Sequence, residues 1–250
     1  MDALIVIPAR FASTRLPGKP LLADTGKPMI QHTYERAAAT GARVLVATDD
    51  ARIAEAVLAF GGEAAMTRAD HETGSARVAE AAAATDARIV VNVQGDEPEI
   101  EPDAIRALID LHAKTLDGAD PAFVSTLVSA FPSGADPASP DAVKAVLSLP
   151  RADGTRSALW FSRSLIPFPR SAAGRPLLHI GLYAYSPATL AALSVLAPTS
   201  AEKAESLEQL RVLEHGHRIA AAEVAPTAPG IDTPEDYAAF VTRTKARAQE

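Results

Sequence analysis

Arg10, Arg15 and Lys19, with Ser13 and Thr14 among them, crowd one stretch that is broken by Pro8, Pro17, Gly18 and Pro20. Guanidinium forks, a lysine point charge and the backbone N–H groups that a turn-rich loop frees can together satisfy the several oxygens of a polyphosphate. The stretch follows Leu4, Ile5, Val6 and Ile7, an apolar run suited to a buried parallel strand, and its prolines and glycine keep a helix from continuing that strand. The polar groups are therefore expected at a strand's carboxyl end, where open α/β sheets bind ligands. A solvated basic loop is the plainer alternative. The pattern is not a Walker A loop, because Pro20 stands after Gly18-Lys19 where Ser or Thr is required, and it is not a G-x-G-x-x-G dinucleotide fingerprint.

A second apolar run ends in Asn92-Val93-Gln94-Gly95-Asp96-Glu97-Pro98 and brings a carboxylate to another strand terminus. A triphosphate arrives with Mg²⁺, which takes one or two carboxylates and completes its octahedron with phosphate oxygens and water. Asp96 is thus the leading metal ligand, with capping of the following turn as its alternative duty. Asp232 precedes Thr233-Pro234-Glu235-Asp236, an ordinary helix N-terminus, and capping alone would account for it. His71 taken alone reads as a surface or capping histidine, and no acid–base role is assigned to it.

These residues need a scaffold. A chain of 250 residues that is 48% hydrophobic can bury a substantial core. Apolar runs at 43–47, 63–66 and 88–93 alternate with helical patterns at 29–40, 51–60 and 74–84, which reads as a parallel sheet covered by helices in a three-layer α/β/α sandwich. From about 121 the runs at 123–130, 142–149 and 157–162 turn β-rich, with a hairpin-like turn at 150–154. A strand at 179–185, a helix from Pro187, a longer helix over 200–215, a strand at 218–224 and a terminal helix complete the chain. We read residues 1–250 as one domain, with 1–120 and 187–250 as a nucleotide- and metal-binding core and 121–186 as a β-rich region.

The net charge of −7 argues against a general nucleic-acid binder, and the absence of cysteine excludes disulfides, thiolate metal sites and a cysteine nucleophile. The acidic start and brief apolar run suit neither a secretory signal nor a membrane span, so a cytoplasmic protein that does not engage membranes is expected.

The loop at 7–20, the Gln94-Gly95-Asp96 turn and the Ile231-Asp232-Thr233-Pro234-Glu235-Asp236 segment together resemble the signature of cytidylyltransferases that activate sugar acids, and most closely the 3-deoxy-D-manno-octulosonate (Kdo) cytidylyltransferase, or CMP-Kdo synthetase, family. The resemblance extends to His71-Glu72-Thr73-Gly74-Ser75-Ala76-Arg77, 159–167, 179–185 and 207–211. It implies a Rossmann-like nucleotide-diphospho-sugar transferase fold with a β-rich dimerisation extension, hence a homodimer. CTP would be held by Ala9, Arg10, Ser13, Arg15, Lys19, Ser75 and Arg77, and Mg²⁺ by Asp96 and Asp232. Arg10, Lys19, Asp96 and Asp232 would be catalytic.

On the same resemblance a Kdo-like acid would meet Gln94, Arg163, His179, Tyr185, Glu208 and Gln209. Arg163 offers a bidentate fork to a carboxylate and the others pair with hydroxyls. Tyr183 and Tyr185 share one strand face and would serve equally as core aromatics, and Glu208 with Arg211 would serve as a solvated pair. The implied activity is transfer of CMP from CTP to the anomeric oxygen of Kdo with release of pyrophosphate, feeding lipopolysaccharide-type glycans. A cytidylyltransferase for another sugar acid or a phosphonate, or a non-catalytic nucleotide-binding module, are the alternatives. Three segments depart from the pattern: Ala76 replaces an acid, the connection at 169–178 is short, and 140–144 only approximates Asn-Pro-Asn-x-Val-Lys.

Overall fold

The computed structural model describes residues 2–12, 16–171 and 174–247. They fall into two compact units, Met1–Pro102 with Ala228–Glu250, and Asp103–Thr227, of mixed α/β structure. In the first unit β1 (Ala3–Ala9), β2 (Arg43–Thr48), β3 (Ala64–Met66) and β4 (Ile89–Asn92) form a parallel sheet in the order β3-β2-β1-β4. Leu4, Ile5, Val6 and Ile7 are consecutive and all buried, so both faces of β1 are covered, which is why the strand reads as an unbroken apolar run. Each such side chain contributes about 1.5–3 kcal/mol on burial.

Helices α1 (Met29–Ala38), α2 (Ala51–Ala59) and α3 (Gly74–Ala82) connect these strands, and α8 (Pro234–Arg247) closes the unit. The buried positions of α1, Met29, Ile30, Thr33 and Ala37, recur at the helical period. Asp50 caps α2 by accepting from the Arg52 N–H at 3.0 Å, and Thr73 caps α3 by accepting from the Ala76 N–H at 3.2 Å. The strand and helix limits follow the sequence expectation to within a few residues.

In the second unit β5 (Val124–Ala130) runs parallel to β9 (Ile219–Val224) and antiparallel to β8 (Leu177–Tyr185). The hairpin of β6 (Lys144–Leu147) and β7 (Arg156–Ser162) pairs with β8 through β6 and with β9 through β7, so the five strands close on themselves. Helix α5 (Pro187–Val195) begins with a capping box made by Ser186 and Thr189.

Three differences from the sequence expectation have local causes. A 15-residue helix, α4 (Pro102–Leu116), occupies a segment for which no element is expected; Ala104, Ile105, Leu108, Ile109 and His112 are its buried stripe. The helix expected over 200–215 is two, α6 (Ser200–Glu205) and α7 (Gln209–Glu214), because Ser206 adopts a left-handed φ of 52° that no α-helix continues through. Finally, 103–120 and 187–227 pack with the β-rich segment rather than with the first unit. The pairing of β9 with β5 and the 2.9 Å contact of His112 Nδ1 with Ser125 Oγ draw them there.

Candidate active site

The carboxyl ends of β1 and β4 lie side by side, and one residue permits the approach. A Cβ on Gly95 would stand 2.9 Å from the Pro8 carbonyl oxygen, so any side chain there would force the turn that carries Asp96 away from β1. Beyond β1 the chain returns through Gly18, whose N–H donates to the Phe11 carbonyl at 3.3 Å and whose φ of 68° is left-handed, into a 3₁₀ turn over Lys19–Leu21. Leu16 and Leu22 pack on a cluster of Met29, Ile231, Tyr237 and Phe240, and the Asp24 N–H donates to the Tyr237 hydroxyl at 3.0 Å. Helix α8 thereby fixes the loop that carries Lys19 and, at its own start, Asp232.

At this junction Lys19 Nζ donates to Asp96 Oδ2 at 2.8 Å and to the Ile231 carbonyl at 2.7 Å, and lies 3.5 Å from Asp232 Oδ1. The ammonium thus draws both carboxylates to one point. Sequence assigns Lys19 to phosphates; its contact with the two acids, and the part played by the Ile231 main chain, have no signature in residue type. The capping duty of Asp232 is taken by its neighbours. Asp236 Oδ2 accepts from the N–H groups of Asp232 and Thr233 at 3.1 and 2.9 Å, and Thr233 Oγ1 accepts from the Asp236 N–H at 3.1 Å.

Ala9, Arg10, Lys19, Gln94, Asp96 and Asp232 line one cavity of about 330 Å³. Two carboxylates that converge on one ammonium are the donor set a hard divalent cation prefers, and among the described residues no group of three or more acidic or histidine side chains forms a closed metal cage. Such a pair fits Mg²⁺ carried in with phosphates. Glu97, which the sequence reading passes over, is pushed up to about 8 by burial and by the adjacent Asp96 charge. The signal is its place beside Asp96 in a segment that turns apolar again at Pro98 and Ile100.

Other expected nucleotide ligands are placed differently. Ser13 and Arg15 lie outside the described residues. Ser75 and Arg77 do not line the cavity: Ser75 Oγ meets Thr73 Oγ1 at 2.8 Å, and the Arg77 guanidinium, fully buried, donates to Asp49 Oδ2 at 2.8 Å and to the Thr67 hydroxyl. A buried guanidinium needs a counter-charge, and Asp49, at the end of β2, provides it.

The residues expected to meet a sugar acid, Gln94 apart, lie in the second unit. His179 Nε2 meets Thr126 Oγ1 at 3.0 Å and its ring stands edge-on to Phe161; burial lowers its pKa to about 3, so it is a neutral hydrogen-bonding group. Burial, with the charges of Glu208 and Tyr183 nearby, raises the Tyr185 hydroxyl well above the usual phenol range. Gln209 is buried, and among the described residues its Nε2 amide has no partner. Arg163 is engaged with the main chain, its Nε donating to the Glu205 carbonyl at 2.7 Å and Nη1 to the Pro140 carbonyl at 3.0 Å.

Comparison with known proteins agrees with this chemistry. A cytidylyltransferase family model matches residues 4–219. The chain is 51% identical to the 3-deoxy-manno-octulosonate cytidylyltransferase of Escherichia coli over 235 residues, 93% of this chain and 92% of that protein. The structure of CMP:2-keto-3-deoxy-manno-octonic acid synthetase complexed with CTP is similar with a TM-score of 0.87 and 48% identity, over 99% of this chain and 98% of that one. The inositol-1-phosphate CTP transferase from T. maritima, 14% identical with a TM-score of 0.65 over 98% and 96% of the two chains, shares the fold. The chain belongs to the 3-deoxy-manno-octulosonate cytidylyltransferase family and has its mixed α/β nucleotidyltransferase fold.

Proposed function

We propose that this protein transfers CMP from CTP to the anomeric oxygen of Kdo, giving CMP-Kdo and pyrophosphate. The observation that carries the reading is the meeting of Lys19, Asp96 and Asp232 at the end of β1, in a chain 51% identical to a Kdo cytidylyltransferase. Phosphorus chemistry of this kind depends on positioning and on neutralising charge. Arg10 and Lys19, with Ser13 and Arg15, hold the triphosphate and stabilise the departing pyrophosphate. Asp96 and Asp232 would hold Mg²⁺, which would neutralise phosphate charge and favour the ionised acceptor hydroxyl. Neutral His179, Tyr185, Glu208 and Gln209, with Arg163, recognise the acid, and Gln94 serves from the cavity of the first unit. Burial of Gln209 Nε2 without a partner among the described residues supports that part, since such a group is costly until something accepts from it.

In this reading the first unit is the nucleotide- and metal-binding part of a three-layer, Rossmann-like fold, and the β-rich unit carries the acceptor residues. The apolar side chains of Leu149, Leu159 and Trp160, exposed on the β6–β7 hairpin and at its turn, suit a homodimer interface. Among the described residues no helix is long and apolar enough to cross a membrane. Use of CTP supports a cytoplasmic setting for the reaction.

The acceptor is tested by offering CTP and Mg²⁺ with Kdo, with an amino-sugar analogue and with a phosphonate, and following the new phosphodiester by ³¹P NMR. Product with Kdo at a rate at least tenfold above the others is expected; faster product with either alternative would reassign the acceptor.

The two duties that sequence leaves open for Asp232 separate cleanly. Thr233→Ala removes a cap and is expected to cost about 1 kcal/mol of stability, with turnover retained. Asp232→Asn is expected to leave the unfolding transition in place and to lower turnover roughly a hundredfold or more. Equal destabilisation by both, with activity kept by Asp232→Asn, would return Asp232 to a capping role.

A further inference from the structure

His71 and Glu80 have no part in the chemistry above, yet they form a connected brace behind Arg10. Arg10 Nη2 donates to the His71 carbonyl oxygen. The His71 ring is buried and its Nε2 meets Glu80 Oε2. Glu80 also accepts from the Arg68 N–H, at 3.3 Å to each carboxylate oxygen, so one side chain holds the segment 68–71 at both ends. Glu80 lies on α3 one helical turn beyond Ala76, the position at which the sequence lacks the expected acid.

The consequence for Arg10 is geometric. An arginine on a loop between prolines has many rotamers, and holding it at one orientation in advance reduces the ordering cost of binding an anion. The His71 carbonyl takes one N–H of the guanidinium while the residue still lines the cavity. That carbonyl keeps its place only as long as its own segment does. A backbone acceptor cannot be altered by substitution at 71 alone, whereas the clamp on it can.

We propose that Glu80, acting through His71, is a positioning residue that orients Arg10 for the triphosphate of CTP. The inference rests on the assignment of Arg10 to the nucleotide, and the experiment separates the two. CTP affinity is measured by calorimetric titration in the presence of Mg²⁺, without sugar acid, for the wild type, Glu80→Ala, Arg10→Ala and the double variant. Glu80→Ala is expected to weaken CTP binding about tenfold, the scale of one hydrogen bond to a charged group. In the Arg10→Ala background the same change is expected to have no further effect. Glu80→Gln, which can still hydrogen-bond to the ring and to the Arg68 N–H, is expected to keep affinity within about threefold of the wild type.

Loss of affinity in Glu80→Ala of the same size with and without Arg10 would show a general structural role and overturn the proposal. So would unchanged affinity in Glu80→Ala while Arg10→Ala binds poorly. Wild-type affinity in Arg10→Ala would overturn the assignment of Arg10 itself. Glu80 is more than one-third exposed and Arg10 lines an open cavity, so neither replacement opens a core cavity and all four variants are expected to fold.

Discussion

Asp96→Asn is expected to lower turnover by about a thousandfold or more while leaving the protein folded, the scale on which a misplaced group in a phosphoryl-transfer site acts. Asparagine keeps the size of the side chain and can still accept from Lys19 Nζ, so the 2.8 Å contact has a neutral substitute. The negative charge is what the change removes. Without it Asp232 is the one remaining carboxylate at Lys19 among the described residues, and a cation brought by CTP meets a donor set with half its charge. The architecture around Asp96 is set by backbone contacts, namely the close approach of Gly95 to Pro8 and the 2.8 Å bond from the Ile231 N–H to the Asp96 carbonyl. Neither depends on the side chain. An Asp96→Asn protein with an unchanged unfolding transition and full turnover would contradict the account.

The second large effect is on stability. Asp49→Ala is expected to destabilise the fold by about 3–5 kcal/mol, the cost of leaving a buried charge without its partner. Arg77 is wholly buried, and among the described residues Thr67 is its other acceptor and its Nε has no partner even with Asp49 in place. Removing Asp49 leaves the guanidinium with a single neutral hydroxyl. Denaturant unfolding monitored by circular dichroism reads this directly. A loss under about 1 kcal/mol would mean that water reaches Arg77 and that the pair behaves as a surface ion pair.

Much of the site was legible because its residues break the rules of their surroundings. Prolines and a glycine after an apolar strand, with cations among them, have no structural reason to be there, and Arg10 and Lys19 do line the cavity. Asp96 follows β4 for the same reason, and Gly95 before it marks the close approach. Asp232 shows where pattern stops: a residue before Thr-Pro-Glu-Asp has two adequate explanations, and only the geometry shows Thr233 and Asp236 sharing the cap.

Other features were hidden because they belong to the main chain or to partners far along the chain. The carbonyls of Ile231 and His71 carry no residue signature. Motif order gives no sign that Asp49, 28 positions earlier, lies within reach of Arg77. In the second unit the break at Ser206 could not be read from a helical pattern that runs through it, since nothing in serine itself demands a left-handed φ. Helix α4 has its apolar stripe in plain view at 104, 105, 108 and 109, with His112 buried on the same face, but no chemistry-bearing motif marks the segment.

Pyrophosphate release from CTP with Mg²⁺, followed with and without Kdo and matched against CMP-Kdo formed in the same tube, tests the central claim most directly. The account predicts release that depends on Kdo, in equal amount to the CMP-sugar. Equal release with and without Kdo, or CTP binding with no release under either condition, would contradict it.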